Sequence, residues 1–293
     1  MLREWLRSER RLGIQHYAIP GIPARRVQTG PASARAAAGT ASRPLSKPAV
    51  PPANIKALTP PPPVRTQAAV GSELFPDDAS LPPLCREELS VEAAEAVLAR
   101  LDAECVHGCT KCRLHEQRTK TVFGAGHARP EIVFVGEGPG ADEDAQGIPF
   151  VGRAGQLLTR MIGAMTLTRE QVYICNVVKC RPPGNRTPTD DEMQVCSPYL
   201  FRQLAVLRPR VIITLGRPAT QTLLVTKVAI GRLRGQFHDF PPPPLAHIGL
   251  PPAKLMPTFH PAYLLRYPPA KAEAWDDLQQ VMRLMGLQIS HSS

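Results

Sequence analysis

Residues 130–158 decide the fold, and they read PEIVFVGEGPGADEDAQGIPFVGRAGQLL. Residues 132–135 form a short apolar run rich in β-branched side chains, which is typical of a strand buried on both faces of a parallel sheet. Gly136, Gly138 and Gly140 follow at once, so the chain leaves the strand through a turn that side chains would obstruct. Ligands of open α/β sheets bind beyond the carboxyl ends of the strands, where this loop must lie. We therefore expect its polar groups to serve chemistry rather than packing.

Apolar runs elsewhere in the chain predict the remaining elements of the fold. Strands that alternate with helices predict a three-layer α/β/α domain around a central, mainly parallel, four-stranded sheet. The other strands are expected at residues 172–175, 211–215 and 255–258, the helices at residues 90–101, 155–165, 189–207, 217–224 and 270–285, and a loop or hairpin at residues 231–253.

The first part of the chain differs in composition from the rest. Proline, alanine, serine and arginine crowd the residues before Cys85, with four consecutive prolines at residues 60–63. Such a segment buries too little apolar surface to offset its ordering entropy. We therefore predict a mostly disordered tail at residues 1–85, which is a candidate site for a protein partner, and a folded domain at residues 86–293.

Charge and hydropathy restrict the partners of the chain. Its 293 residues carry a formal net charge of +10, which favours an anionic partner, either nucleic acid or a membrane surface. A basic tail that only aids solubility is the alternative. No apolar run approaches the ~20 residues needed to cross a bilayer, so we expect no membrane segment.

The seven cysteines suggest a metal site. Without a recognisable signal peptide they indicate a reducing compartment, so we expect a cytoplasmic protein, and we expect a monomer. Cys109 and Cys112 have two residues between them, and Cys180 and Cys196 have fifteen. These two pairs are candidates to hold tetrahedral zinc or a [4Fe–4S] cluster, and their spacing does not choose between the two. Four unrelated buried thiols are the alternative.

The glycine-rich loop also fits a second chemistry. Residues 136–141 match the G-x-G-x-x-A pattern of dinucleotide sites, which would indicate a nucleotide-dependent enzyme. The acidic ribose ligand expected about twenty residues further on is missing, because residues 157–161 are predicted to be helical. Pro139 also removes an amide that would bind phosphate.

Several motifs in order resemble the family 4 uracil-DNA glycosylases. They are GEGPGxxEDxxGxPFVGxAG at residues 136–155, NVVKCRPPGNR at residues 176–186 and FHPAYL at residues 259–264. The resemblance covers about residues 100–285 and excludes the tail. It implies a monofunctional enzyme that flips uracil out of single- or double-stranded DNA, hydrolyses its N-glycosidic bond and leaves an abasic site. It also places the four paired cysteines where the family binds its [4Fe–4S] cluster.

The motifs then suggest a role for each polar or aromatic residue near the base. Phe150 can stack on uracil, although alone it would be core. Asn176 can pair with N3 and O4 and reject cytosine, although an Asn at a strand end also forms turns. His260 can donate to O2, where negative charge develops, although a His before Pro also suits an ordinary loop.

The two glutamates of the first motif are the candidates for handling water. Uracil glycosylases of the best-known type carry an Asp where Gly138 stands, so Gly138 lines the expected base site without activating water. We expect Glu143 to orient water or stabilise the cationic sugar and Glu137 to shape the loop. Solvated loop charge is the alternative for both residues.

The same motifs suggest how the chain meets DNA. Leu264 is expected to wedge into the minor groove in place of the flipped base, or else to be the buried start of a helix. Arg181, Arg186 and Arg266 are expected to contact phosphates. Relatives that trap uracil-DNA covalently carry a His in the loop after the Asn motif; this chain has none, so we expect ordinary turnover. A non-catalytic, zinc-containing DNA-binding module is the alternative function.

Overall fold

A six-stranded sheet forms the centre of the domain. The computed structural model describes residues 80–288, so predictions for residues 1–79 and 289–293, including most of the predicted tail, lie outside the described residues. The strand order across the sheet is β1-β3-β2-β4-β6-β5. The strands are β1 (Ala125–Gly126), β2 (Ile132–Gly136), β3 (Tyr173–Asn176), β4 (Val211–Leu215), β5 (His238–Phe240) and β6 (Ala253–Thr258).

The four predicted strands form the parallel centre of this sheet. Val133 of β2 lies opposite Tyr173 of β3 on one side and Ile212 of β4 on the other. Every residue of β2 and β4 is buried, which explains why both strands consist almost entirely of apolar residues, with Thr214 the polar exception in β4. The fold class is confirmed.

The predicted strand number is too small, because β1 and β5 were not foreseen as strands. Both lie at the edges of the sheet, where β1 pairs antiparallel with β3 and β5 pairs antiparallel with β6. With two and three residues they are too short to show a periodic pattern. β5 falls within the segment for which a loop or hairpin was expected.

Helices pack around the sheet, and five of them lie at the predicted places. The short helices Ala141–Gln146 and Ile230–Leu233 were not predicted, and the second lies largely where a loop or hairpin was expected. Ser90 caps the first helix by accepting a hydrogen bond from Ala93 N at 3.2 Å, and Thr189 forms a capping box with Glu192. The helices are α1 (Val91–Leu101), α2 (Ala141–Gln146), α3 (Arg153–Ala164), α4 (Asp190–Leu207), α5 (Arg217–Leu224), α6 (Ile230–Leu233), α7 (Pro261–Arg266) and α8 (Lys271–Met285). Within residues 80–288, no helix has the length and apolar character needed to span a membrane.

The folded part of the chain begins before Cys85. Leu81 is buried in the same apolar cluster as Cys180 and Cys196. Arg202 on α4 donates from Nε to the backbone oxygen of Pro82 at 2.6 Å. Residues 80–85 therefore pack on the domain, although the composition placed them in the tail.

Candidate active site

A pocket of about 460 Å³ lies beyond the carboxyl ends of the parallel strands. This is the edge of the sheet where an open α/β fold binds its ligands. Loops after β2, β3 and β6 enclose the pocket and bring together residues that are far apart in the chain. They include Glu137, Gly138, Glu143, Phe150, Arg153, Asn176, Arg186, His260 and Arg266.

Asn176 is the last residue of β3 and has 1 % of its surface exposed. Neither its side-chain Nδ2 nor its Oδ1 has a hydrogen-bond partner in the protein. Gly136 lies opposite it in β2, and a Cβ at Gly136 would collide with Asn176 Oδ1 and with the Phe150 ring. The first glycine of the motif thus leaves the space in which the amide and the ring meet.

Phe150 is buried and has a left-handed backbone conformation, with a φ of 54°. A bulky residue rarely adopts this conformation without strong local constraint. Arg169 supplies that constraint by donating to the backbone oxygens of Phe150 at 3.0 Å and Pro149 at 2.7 Å. The Phe150 ring centroid lies 5.7 Å from that of His260, so the ring is held at the base site.

His260 caps helix α7 and presents one ring nitrogen for a ligand. Its Nδ1 accepts a hydrogen bond from the Ala262 backbone N–H at 3.1 Å. Burial and, to a smaller extent, the charge of Arg266 together lower the pKa of His260 to about 4. The ring is therefore neutral near pH 7, and because Nδ1 is the acceptor, Nε2 carries the proton and is a donor.

Glu143 holds the first loop together. Its carboxylate accepts hydrogen bonds from the backbone N–H groups of Gly140 at 3.1 Å, Val151 at 2.9 Å and Gly152 at 2.9 Å. These bonds join the start of the loop to its end and cap helix α2. This arrangement favours a loop-shaping role for Glu143 rather than the predicted handling of water.

Glu137 is the half-buried carboxylate of the same motif, and it directly follows β2. Burial raises the pKa of Glu137, while a hydrogen bond from Thr187 and the charge of Arg217 oppose the increase. A carboxylate in a pocket with a raised pKa is a typical acid–base candidate. The geometry thus favours an exchange of the roles that the sequence suggested for Glu137 and Glu143. Gly138, beside Glu137, lies so close to Val178 that a Cβ would be 2.7 Å from its Cγ2.

The predicted DNA-contacting residues fall into different environments. Leu264 is fully buried, which favours the packing role over insertion into DNA. Arg266 is exposed at the pocket rim, and Arg181 Nε donates to Asn185 at 2.7 Å. Arg186 is half-exposed at the rim and holds Glu192 with two hydrogen bonds, of 2.8 and 2.6 Å.

Sequence reasoning missed three residues near the pocket. Tyr263 and Tyr267 lie one helical turn apart on and after α7, are 37 % and 51 % exposed, and have ring centroids 5.9 Å apart. Exposed neighbouring aromatic rings are suited to stack on bases. Arg153 is exposed at the rim where α3 begins. Tyr263 and Tyr267 are four residues apart, and this spacing could have indicated that their rings lie on one face of a helix after His260.

The four paired cysteines line one small cavity, beside Arg118, Lys179 and Tyr199. Polar groups approach several of the sulfurs: Arg118 Nη1 donates to Cys180 at 3.3 Å, Lys179 N donates to Cys196 at 3.3 Å, and Tyr199 Oη lies 3.2 Å from Cys109. Burial raises the pKa of Cys196 to about 12, and the charge of Lys179 opposes the increase. Across residues 80–288, no three His, Cys, Asp or Glu side chains are gathered closely enough to hold a metal ion.

The parallel sheet with a polar pocket at its carboxyl edge defines a ligand-binding α/β domain. The family model described as the uracil DNA glycosylase superfamily matches residues 123–279. The chain belongs to this superfamily, as its motifs predicted.

Similar proteins are named Type-4 uracil-DNA glycosylases. The protein from Thermotoga maritima is 48% identical over 170 residues, which cover 58% of this chain and 84% of the relative. The protein from Saccharolobus solfataricus is 44% identical over 62% of this chain and 83% of the relative, and that from Archaeoglobus fulgidus is 43% identical over 62% and 90%. These matches do not favour the nucleotide-dependent enzyme or the non-catalytic module.

Proposed function

We propose that this chain hydrolyses the N-glycosidic bond of uracil in DNA and releases the base from an abasic site. The observation that carries the proposal is the Asn176 amide, whose donor and acceptor are both buried and without a protein partner. Leaving such groups unpaired costs about 1–3 kcal/mol each, so a site that keeps them implies a ligand that satisfies them. Uracil offers a donor at N3 and an acceptor at O4, whereas cytosine offers the reverse and is rejected.

The base has to leave the helix to reach this pocket. Phe150 is fixed in its strained conformation beside Asn176 and His260, so its ring can stack on the flipped base. His260 donates from Nε2 to uracil O2. Negative charge develops on that oxygen as the glycosidic bond breaks, so this hydrogen bond strengthens in the transition state.

Glu137 is our candidate for orienting the attacking water and stabilising the cationic sugar. It lines the pocket, and Thr187 and Arg217 interact with it without closing it off from the pocket. Glu143 supports the reaction indirectly, because its three backbone hydrogen bonds shape the loop that carries Phe150 and Glu137.

We also propose that Cys109, Cys112, Cys180 and Cys196 hold a [4Fe–4S] cluster. Four thiols around one cavity match the ligand set of such a cluster, and N–H donors to the sulfurs are typical of its surroundings. A four-iron cluster is larger than a single ion, so its ligands need not gather as closely as zinc ligands do. When bound, the cluster cross-links the loop before β1 to the loop after β3 and to α4.

Exposed groups around the pocket fit a DNA strand. Arg153 and Arg266 can contact phosphates, and Tyr263 and Tyr267 can stack on bases beside the uracil. Arg181 is half-buried and outside the pocket lining, and its contact with a phosphate stays a prediction. Single- or double-stranded DNA, a monomeric state and a protein partner for the tail stay predictions.

The test is single-turnover cleavage of an oligonucleotide with one uracil, followed by alkali, which breaks the strand at abasic sites. We expect breaks that depend on both uracil and protein, with none in matched oligonucleotides carrying thymine or cytosine. Asn176→Ala should abolish uracil release, whereas Gln156→Ala, at an exposed amide side chain outside the pocket lining, should retain it. No breaks by protein with a loaded cysteine cavity would contradict the proposal and favour a DNA-binding module.

A further inference from the structure

We propose that Lys179 is a positioning residue that links the cysteine cavity to the base-reading end of strand β3. The inference rests on the proposed function, because it concerns how Asn176 is held toward the base. Lys179 has 1 % of its surface exposed and lies three residues after Asn176 and directly before Cys180. A buried ammonium group is costly unless hydrogen bonds and negative charge compensate it. Its presence between two functional regions therefore needs an explanation.

The side chain of Lys179 is bonded to the Asn176 peptide. Its Nζ donates to the backbone oxygen of Asn176 at 2.8 Å and to Gln203 Oε1 at 2.5 Å. Gln203, on α4, donates in turn to the backbone oxygen of Phe123 at 2.9 Å. The ammonium group is thus fixed from two directions, and it fixes the peptide whose side chain faces the pocket.

The turn between Asn176 and Lys179 is also joined to the first loop. Val177 N donates to the backbone oxygen of Gly136 at 2.9 Å, and Val178 N donates to that of Glu137 at 3.2 Å. A shift of this turn would therefore move the base-reading amide and disturb the backbone of Glu137. The buried Lys179 side chain holds the same turn through its hydrogen bond to the Asn176 backbone oxygen.

The other side of Lys179 faces the cysteines. It lines the cavity with them, and its backbone N–H donates to Cys196 Sγ at 3.3 Å. The two oxygens that accept from its ammonium group are neutral. Asp102 interacts with Lys179 through its charge, although burial raises the pKa of Asp102 and so disfavours its charged form. Thiolates of a loaded cavity would add negative charge beside the ammonium group, so loading the cavity would also stabilise the group that orients Asn176.

The test compares the two buried lysines of the described chain. Lys179→Met removes the ammonium group and keeps the side-chain length. Lys271→Met at the start of α8 is the matched control, because Lys271 has 2 % of its surface exposed and lies outside the pocket lining. Each full-length variant is titrated with a duplex carrying 2′-fluoro-deoxyuridine, which resists cleavage, and with the same duplex carrying thymine. The loss of visible iron absorption under a chelator is followed separately.

We expect Lys179→Met to bind the uracil duplex about tenfold more weakly, because the Asn176 amide is no longer held toward the base and has to be ordered on binding. Its affinity for the thymine duplex should stay unchanged, and its visible absorption should fade faster than that of the wild type. Lys271→Met should match the wild type in its DNA affinities and in the rate at which its visible absorption fades. Lys179→Gln keeps a donor for the Asn176 oxygen without the charge, so it should recover uracil preference but still lose absorption quickly. If Lys179→Met does not fold, the absorption measurement on Lys179→Gln still tests the link between the lysine charge and the cysteine cavity.

Two results would overturn the inference while the proposed function stands. One is a Lys179→Met variant with wild-type uracil preference, and the other is an equal loss in Lys179→Met and Lys271→Met. A wild-type protein without any preference for the uracil duplex would overturn the proposed function, and this inference with it.

Discussion

The base pocket and the cysteine cavity are close in the chain, yet they treat their polar atoms in opposite ways. In the pocket, both amide atoms of Asn176 are buried without a protein partner. In the cavity, the sulfurs of Cys109, Cys180 and Cys196 each have a polar group of the protein within 3.3 Å. Unpaired groups suit a ligand that enters and leaves, whereas supported sulfurs suit a group that stays bound. The difference is what we expect between a pocket that binds and releases a substrate and a cavity that keeps a structural group.

The largest effect is expected when the hydrogen-bond donor that His260 contributes to the pocket is removed. His260→Ala should lower the single-turnover rate of uracil release about a thousandfold, because its hydrogen bond strengthens only as the base becomes an anion. DNA affinity should change far less. His247→Ala, at an exposed histidine outside the pocket, is the control and should keep the wild-type rate. Equal losses in rate and affinity would remove the proposed role of His260.

The two glutamates of the first motif give a sharper test of the pocket. Glu137→Gln should lower the rate about a hundredfold with little change in the melting temperature. Glu143→Gln should instead lower the stability by about 1–3 kcal/mol, because one of the two accepting oxygens becomes an NH2 group that faces a backbone N–H donor. The reverse pattern would restore the roles suggested by the sequence. Rate and thermal unfolding of both variants are the measurements.

The pH profile of the rate belongs to the same test. The active form of Glu137 is the carboxylate, and burial raises its pKa above the usual 4.5. The wild-type rate should therefore decrease as the pH is lowered through this raised pKa. His260 stays neutral down to about pH 4 and does not contribute to the decrease above that value. Glu137→Gln should lose this acid limb, and an unchanged limb would assign it to another group.

The smallest effect on uracil release is expected from deletions at the N-terminus. Leu81, near the start of the described chain, packs in the same apolar cluster as Cys180 and Cys196. Deletion of residues 1–79 should leave uracil release from short duplexes within about twofold of the full chain, since the composition of this segment predicts that it does not fold with the domain. Deletion of residues 1–85 should lower the melting temperature, because Leu81 and the Pro82 oxygen pack on the domain. Equal melting temperatures for the two deletions would show that residues 80–85 do not stabilise it.

Much of the fold was predictable because it depends on local patterns. The strands β2 and β4 are buried along their whole length, so their apolar runs identify them. Ser90 and Thr189 mark helix starts through their own side chains. The edge strands β1 and β5 form because neighbouring strands are present to pair with them, and their own residues show no strand pattern.

The candidate site was predictable in its residue types but not in every role. Asn176, Phe150 and His260 follow strand ends or turns, so their motifs indicate their positions. The acceptor role of Glu143 depends on residues 151 and 152 folding back toward it, which spacing alone does not reveal. Leu264 and Tyr263 are neighbours in sequence, and only the packing of α7 decides that the first is buried and the second exposed.

The shortness of the two edge strands has a consequence for handling this protein at high concentration. An exposed sheet edge is a template on which a second molecule can add a strand, and this is a route to aggregation. Here the edges offer only two and three residues. The sheet therefore presents little surface for edge-to-edge growth. Engineering that lengthens either edge strand would remove this protection.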